Sequence, residues 1–321
     1  MNKKKEGLFK GASVAELYSK FGVVLILILC LIIGTILSPE FLTGSNLMSV
    51  ARNVGVYAII ALGMTRLLIG GGVDLSAGSN VAFCSVIVAV IYAQTGSTLM
   101  AVIAAILCGM IIGAINGYFA SYIGLMPFIV TLATQMTVRG LAYLVAGGAP
   151  VYGVSSSIIF LGQGNVGGFP MLLIVVLVAT AIMLFVMTRT SHGRYLYAMG
   201  GNKTAAKLSG INVKKMRFMA GMFAAIFIAI GGIVVCSRNS AAQINGSDSY
   251  LMSSLAAVFV GRSIGGAERP NALGTAIGAL LISTLEIGLT MCGVVYYILP
   301  FVKGLVLCLA LVAAYATSKE D

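Results

Sequence analysis

Ten apolar segments, each close to the length a helix needs to cross a bilayer, follow one another through nearly the whole chain. They cover residues 21–37, 54–70, 75–94, 98–120, 126–146, 170–188, 218–236, 250–265, 272–291 and 296–316. In lipid, backbone N–H and C=O groups must be satisfied without water, so apolar runs of this length predict spanning helices. Composition agrees: 59% of the residues are hydrophobic and 9% are charged, against about 25% charged in a soluble domain. The expected fold is an all-α integral membrane protein with about ten transmembrane helices in a single domain, 1–321. Segment 75–94 is interrupted by polar residues near its start, and 250–265 is short.

The net charge of +11 would suggest a nucleic-acid partner in a soluble protein. Here the cations gather in short loops, so topology accounts for them and no nucleic acid is implied. Lys3, Lys4, Lys5, Lys10 and Lys20 precede the first segment, seven Lys and Arg fall between Arg189 and Arg217, and Arg262, Arg269 and Lys319 follow. This places both termini in the cytoplasm, with 1–20 and 189–217 on that side, and assigns Arg238 to the outside. The basic N-terminus and run 21–37 resemble a signal peptide, but the run is long enough to span and ends in Ser38-Pro39-Glu40, so it is read as a retained helix. The six cysteines form no C-x-x-C pair and mostly sit in apolar runs, as small reduced hydrophobes do. One His, His192, cannot build a metal site alone, and no cofactor is expected.

Short matches recur about half a chain apart. Ile112-Gly113-Ala114 returns as Ile277-Gly278-Ala279, Pro127-Phe128-Ile129 resembles Pro300-Phe301-Val302, and Gly78-Ser79 has a counterpart in Gly246-Ser247. Five helices per half is an odd number, so the two five-helix repeats would be inverted, an arrangement typical of transporters. Gly109, Gly113 and Gly117, and again Gly274 with Gly278, stand four residues apart. That spacing brings helix backbones close, within the chain or at a subunit interface.

Polar residues in these runs are the candidates for chemistry, since they usually face a bundle interior. In GGGVDLSAGS, Gly70 to Ser79, glycines break a helix, and Asp74 precedes Leu75-Ser76 where it can cap the next. Thr131, Gln135 and Arg139 fall on one helical face, Ser283, Glu286 and Thr290 on another, and Asn53 with Tyr57 on a third; Asn116 lies within the fourth segment. Hydroxyls and amides suit a polyol. Glu286 is expected to face a central path, bonding a substrate hydroxyl or pairing with a cation such as Arg139. The loop GRYLYAMGGNKTAAKLSGINV, from Gly193 to Val213, contains a short helix from Lys203 to Ser209, with Asn202 as N-cap and Gly210 just past its end. Ala205 and Ala206 leave it smooth enough to dock in a partner's groove. Gly201-Asn202-Lys203-Thr204 is no phosphate loop, because Asn202 and Tyr197 stand where that motif needs glycines.

The chain resembles the ribose-type permease family of bacterial ATP-binding-cassette importers over nearly its whole length. The likeness rests on Leu37-Ser38-Pro39-Glu40-Phe41, GGVDLSAGS, Pro127-Phe128-Ile129 with Arg139-Gly140, the whole Gly193–Val213 loop, Ala256-Ala257-Val258 through Gly265-Gly266, and Gly274-Thr275 with Ile277-Gly278-Ala279-Leu280. The resemblance implies a permease in the bacterial inner membrane, paired with a second permease copy, a cytosolic ATPase carrying two cassettes and an external sugar-binding protein. It makes the Asn202 to Gly210 segment the coupling element, with Arg194, Lys203 and Ser209 beside it. One departure is that ribose-type members tend to carry paired Asn where this chain has Glu286-Ile287, so the likeness does not fix the sugar. On residues alone, an ion-coupled secondary transporter of a small polar solute is the other reading, with Asp74 and Glu286 as its only core acids. No catalytic cluster of His, Asp and Glu is present, which argues against an enzyme.

Overall fold

The computed structural model describes residues 27–28, 30–36, 38–262, 264, 269–295, 297–305 and 308. Its helices are α1 (Gly44–Ile69), α2 (Ala77–Thr95), α3 (Thr98–Tyr118) continued by a π-helical turn (Phe119–Ile123), α4 (Pro127–Ala146), α5 (Ser156–Gln163), α6 (Met171–Arg189), α7 (Ser191–Gly201), α8 (Lys203–Leu208), α9 (Val213–Asn239), α10 (Ser247–Gly261) and α11 (Ala272–Met291). Residues 30–36 and 299–305 are also helical. They fall inside the expected first and tenth segments, most of whose other residues, like 1–20, lie outside the described residues. Seven helices among the described residues are long and apolar enough to cross a membrane: α1, α2, α3 with its π turn, α4, α6, α9 and α11. The protein is thus a multi-pass, all-α membrane protein. Four two-residue strands, β1 (Val151–Tyr152), β2 (Asn165–Val166), β3 (Phe169–Pro170) and β4 (Ala241–Ala242), form the antiparallel pairs β1–β4 and β2–β3.

Hydropathy located the spans but shortened several. α1 starts at Gly44 rather than 54, and α9 runs from Val213 to Asn239 rather than 218–236. The added turns carry polar residues such as Asn46, Arg52, Lys214 and Lys215, which an apolar window excludes. The early start of α1 adds Arg52 to Arg238 at one end of the bundle, where Arg52 donates to Gln163 O and Asn165 Oδ1, both at 3.2 Å. α5 and α7, read from sequence as loop, are helices.

The bundle has two distinct ends. At the α5 end, Gln163 Nε2 donates to Arg238 O at 2.8 Å, and Thr98 Oγ1 to Ser155 Oγ at 2.8 Å. At the α7–α8 end, Arg217 Nη2 donates to Gly71 O at 3.4 Å and Tyr197 Oη to Pro270 O at 3.1 Å. The cations from Arg189 to Arg217 all belong to the second end.

α1 is the most enclosed span. It packs on α6, α7, α9, α10 and α11, while α9 packs on α1, α2 and α3. The glycine spacing serves these internal contacts. A Cβ at Gly113 would lie 2.4 Å from Ala225 Cβ, and one at Gly278 would lie 2.1 Å from Ala257 O. Neither is a distance that packed atoms tolerate, so both sites need glycine. Of the residues in the short matches, Gly113 is on α3 and Gly278 on α11, Pro127 opens α4 and Pro300 lies at the start of helix 299–305, and Gly78 lies in the first turn of α2 while Gly246 caps α10 and Ser247 begins it. Those last two helix starts meet inside the bundle, where a Cβ on Gly78 would stand 3.1 Å from Ser247 O. From there α2 runs to the α5 end and α10 to the α7–α8 end.

Candidate functional site

Gly70, Gly71 and Gly72 stop α1 and turn the chain back into the bundle. Gly71 has φ +73, a left-handed conformation glycine adopts freely. The returning stretch carries Asp74, which is buried. Its Oδ1 accepts from the Ser76 N–H at 2.8 Å and from Ser76 Oγ, so the carboxylate closes the turn just ahead of α2. Ser76 Oγ accepts in turn from Asn116 Nδ2 at 2.8 Å, and Asn116 Oδ1 from Thr134 Oγ1 at 2.6 Å. Three residues expected on the path, Asp74, Ser76 and Asn116, therefore form one relay, ended by Thr134, which sequence reading missed. Thr131 lines the same cleft with Pro127, Gly117 and Arg217. The cleft encloses about 40 Å³, space for one or two waters and too little for a sugar.

A second set of polar groups lies nearer the α5 end. Tyr57 Oη donates to Glu286 Oε2 at 2.5 Å, and Lys303 Nζ lies 3.1 Å from the same oxygen. Lys303 also donates to Tyr57 Oη at 3.5 Å. The expected partner for Glu286, Arg139, is bound elsewhere: its Nη1 reaches Asp248 Oδ2 at 2.8 Å, bridging α4 and the start of α10. This corrects the sequence reading on geometric grounds, since Asp248 begins α10 beside α4 whereas Glu286 looks towards α1. Lys303 was legible as a cation in an apolar run, a signal that sequence reading passed over. Tyr143 Oη donates to Asn245 Oδ1, and Arg238 Nη1 to Asn53 Oδ1. Gln135 is half-buried between Thr131 and Arg139 on α4. Ser283 is fully buried, and Thr290 Oγ1 donates to the Glu286 carbonyl at 2.8 Å.

The segment expected to dock a partner has the predicted shape. Asn202 Oδ1 accepts from the Ala205 N–H at 2.9 Å, and Gly210, at φ +83, turns the chain out of α8. Ser209 Oγ donates to Ala205 O at 3.0 Å. The two alanines separate, however. Ala205 is exposed, while Ala206 is 4% exposed and joins a cluster with Leu62, Met187, Met199 and Met216. Ala206 therefore anchors α8 to the membrane bundle. The outward face belongs to Lys203, Lys207 and Leu208, with Arg194 exposed on neighbouring α7. Leu208, at 84%, is the most exposed large hydrophobic side chain among the described residues.

At the same end, the Arg66 guanidinium stacks on Phe223 at 4.7 Å from the ring centroid, and the His192 ring packs edge-on against the same Phe223 with centroids 6.1 Å apart. Burial pushes the His192 imidazole down to about 4, and Arg66 adds to the shift. Since the chain has one His, a ¹³C-labelled imidazole gives a single NMR titration. Its midpoint is expected near pH 4, and Arg66→Leu should raise it part of the way to 6.5. A wild-type midpoint at 6.5 would place His192 in open solvent.

The architecture so far is that of a polytopic transport protein: a helical bundle with buried polar relays, interrupted helices and a structured basic module at one end. Comparison with known proteins gives the family. Residues 46–314 match the family described as branched-chain amino acid transport system / permease component. The ribose import permease protein of Bacillus subtilis (strain 168) is 35% identical, over 91% of this chain and 91% of its own length. That of Escherichia coli (strain K12) is 33% identical, over 92% and 93%. The D-allose transport system permease protein of the same strain is 31% identical, over 93% and 92%. No solved structure matches the chain. The chain belongs to this permease family.

Proposed function

We infer that this chain is the permease subunit of an ATP-binding-cassette importer and forms the membrane path for a pentose- or hexose-like sugar. It is a transport subunit and not an enzyme. The sugar arrives on an external binding protein, and a separate cytosolic ATPase with two cassettes drives the cycle. The observation that carries this reading is the full-length likeness to ribose and allose import permeases, which extends through the α7–α8 module. In the fuller proposal the chain is one permease domain, 1–321, of ten helices in two inverted repeats, working beside a second permease copy. The packing of α1 on α11 and of α9 on α3, together with the head-to-head start of α2 and α10, supports the repeat. The concentration of cations at the α7–α8 end supports a cytoplasmic position for that end and for both termini.

Within this reading α8 couples the permease to the ATPase. Arg194, Asn202, Lys203, Ala205, Ser209 and Gly210 shape or flank the contact, and Ala206 holds α8 to the bundle. Asn53, Tyr57, Asp74, Ser76, Asn116, Thr131, Gln135, Arg139 and Glu286 are the proposed path residues. They form two polar regions separated along α4, which fits alternating access: a sugar passes from the Arg139–Asp248 level to the Asp74–Thr131 level as the helices shift.

The test is uptake of labelled ribose, allose and galactose by cells lacking their own sugar importers. This chain is supplied with and without the ATPase and binding protein of a sugar importer. Uptake is expected only when all three are present. Uptake by the permease alone, driven by a proton or sodium gradient, would overturn the importer and establish the ion-coupled transporter instead.

A further inference from the structure

Among the described residues, Arg66 is a buried cation that meets no carboxylate. Its residue is 3% exposed, its Nε makes no hydrogen bond, and its guanidinium contacts the Phe223 face. The acids among the described residues are Glu40, Asp74, Asp248 and Glu286. Asp74 is turned to Ser76, Asp248 to Arg139 and Glu286 to Lys303, and Glu40 lies beyond the opposite end of α1. Burying an unpaired guanidinium is costly, so the position suits an anion.

Two further groups converge there. His192 Nε2 is buried and has no hydrogen-bond partner. His192 is also the second residue of α7, an eleven-residue helix, so the positive end of the helix dipole lies beside it, with Thr190 Oγ1 accepting from the Gly193 N–H as the cap. Its imidazole, held neutral, can still donate one N–H. A guanidinium, an imidazole and a helix N-terminus are together the donor set that phosphate oxygens accept from.

We propose that Arg66, His192 and the N-terminus of α7 bind the phosphate of an anionic phospholipid headgroup in the cytoplasmic leaflet. Phosphate oxygens could also come from a soluble ion, but the surroundings select an acylated one. α6 and α9 both pack on α1, and each carries exposed aromatic and aliphatic side chains, Ile182 and Phe185 on one and Phe223 on the other. An occupant with a phosphate at one end and hydrocarbon at the other matches both features. The leaflet assignment rests on the orientation given under the proposed function; the site itself does not.

The test uses the purified permease alone in detergent, so it does not depend on sugar, ATPase or transport. Thermal unfolding is followed by circular dichroism with added phosphatidylglycerol, phosphatidylcholine or inorganic phosphate, and bound lipid is counted by native mass spectrometry. Phosphatidylglycerol should raise the melting temperature of the unmodified protein by about 4 °C or more, with no such rise from the other two. Arg66→Leu should fold, melt no lower than wild type without lipid, and lose the response and the retained lipid; Arg66→Lys should keep part of both. An equal response in Arg66→Leu overturns the proposal, and an equal rise with inorganic phosphate overturns the lipid as source. If phosphatidylglycerol leaves the melting temperature of the unmodified protein unchanged and none is retained in the mass spectrum, the lipid site is refuted.

Discussion

Leu208→Glu is expected to abolish uptake while leaving the permease inserted and folded. Leu208 is 84% exposed, so the substitution leaves the bundle intact. An exposed leucine at the tip of a capped, basic helix is the feature a hydrophobic groove would grip. A carboxylate there would be buried without a partner. Hot-spot truncations typically cost about 2 kcal/mol or more, roughly a thirtyfold loss of affinity for the ATPase. Co-purification of the ATPase and sugar-stimulated ATP hydrolysis measure it. Both at the wild-type level would show that α8 does not dock. Ala206→Arg is a poor probe of the same question. Ala206 is buried in the same apolar cluster as Met187 and Met216 within the permease, so an arginine there would dislodge α8 from its own bundle.

The second large effect is expected at the Tyr57–Glu286–Lys303 cluster. Glu286→Gln removes the negative charge and leaves the Lys303 ammonium buried, with 8% of its side chain exposed. Breaking a buried pair from one side commonly costs about 3–5 kcal/mol, whereas removing both charges is often close to neutral. The single variant should melt well below wild type, and Glu286→Gln with Lys303→Met should recover most of the loss. Equal melting of single and double variants would mean that the ion pair does not hold helix 299–305 against α1 and α11. The double variant also isolates substrate choice: if Glu286 selects among sugars, its uptake profile across pentoses and hexoses will differ from wild type even with stability restored.

The spans were readable because hydropathy reports the solvent each helix sits in. Asp74 and the caps of α8 were readable because turn chemistry is local: a carboxylate two residues before a backbone N–H, or an asparagine three before one, needs no knowledge of the fold. Pairing across helices was not readable. The stripe logic placed Arg139 and Glu286 on polar faces, but it gives no azimuth of one helix about another. The true partners, Asp248 and Lys303, are 109 and 17 residues away. Adjacent alanines looked equivalent in sequence, yet α8 turns one inward and one outward, and that division depends on where Met187 and Met216 reach. Nothing local in the sequence sets Arg66 apart; its contact with Phe223, and that of His192 with the same ring, are visible only in the fold.

The meeting of Gly78 with Ser247 has a consequence for biogenesis. α1 packs on α9, α10 and α11, α2 on α9 and α10, and α3 on α9, so the early helices find many of their neighbours among the last to leave the ribosome. While synthesis continues, Asn53, Tyr57 and Arg66 on α1 wait in the bilayer or at the insertion machinery without the partners that α9, α11 and helix 299–305 supply. A fragment ending after α6 should be degraded in cells, whereas the same fragment co-expressed with the remainder of the chain should accumulate, because each half is the folding template of the other.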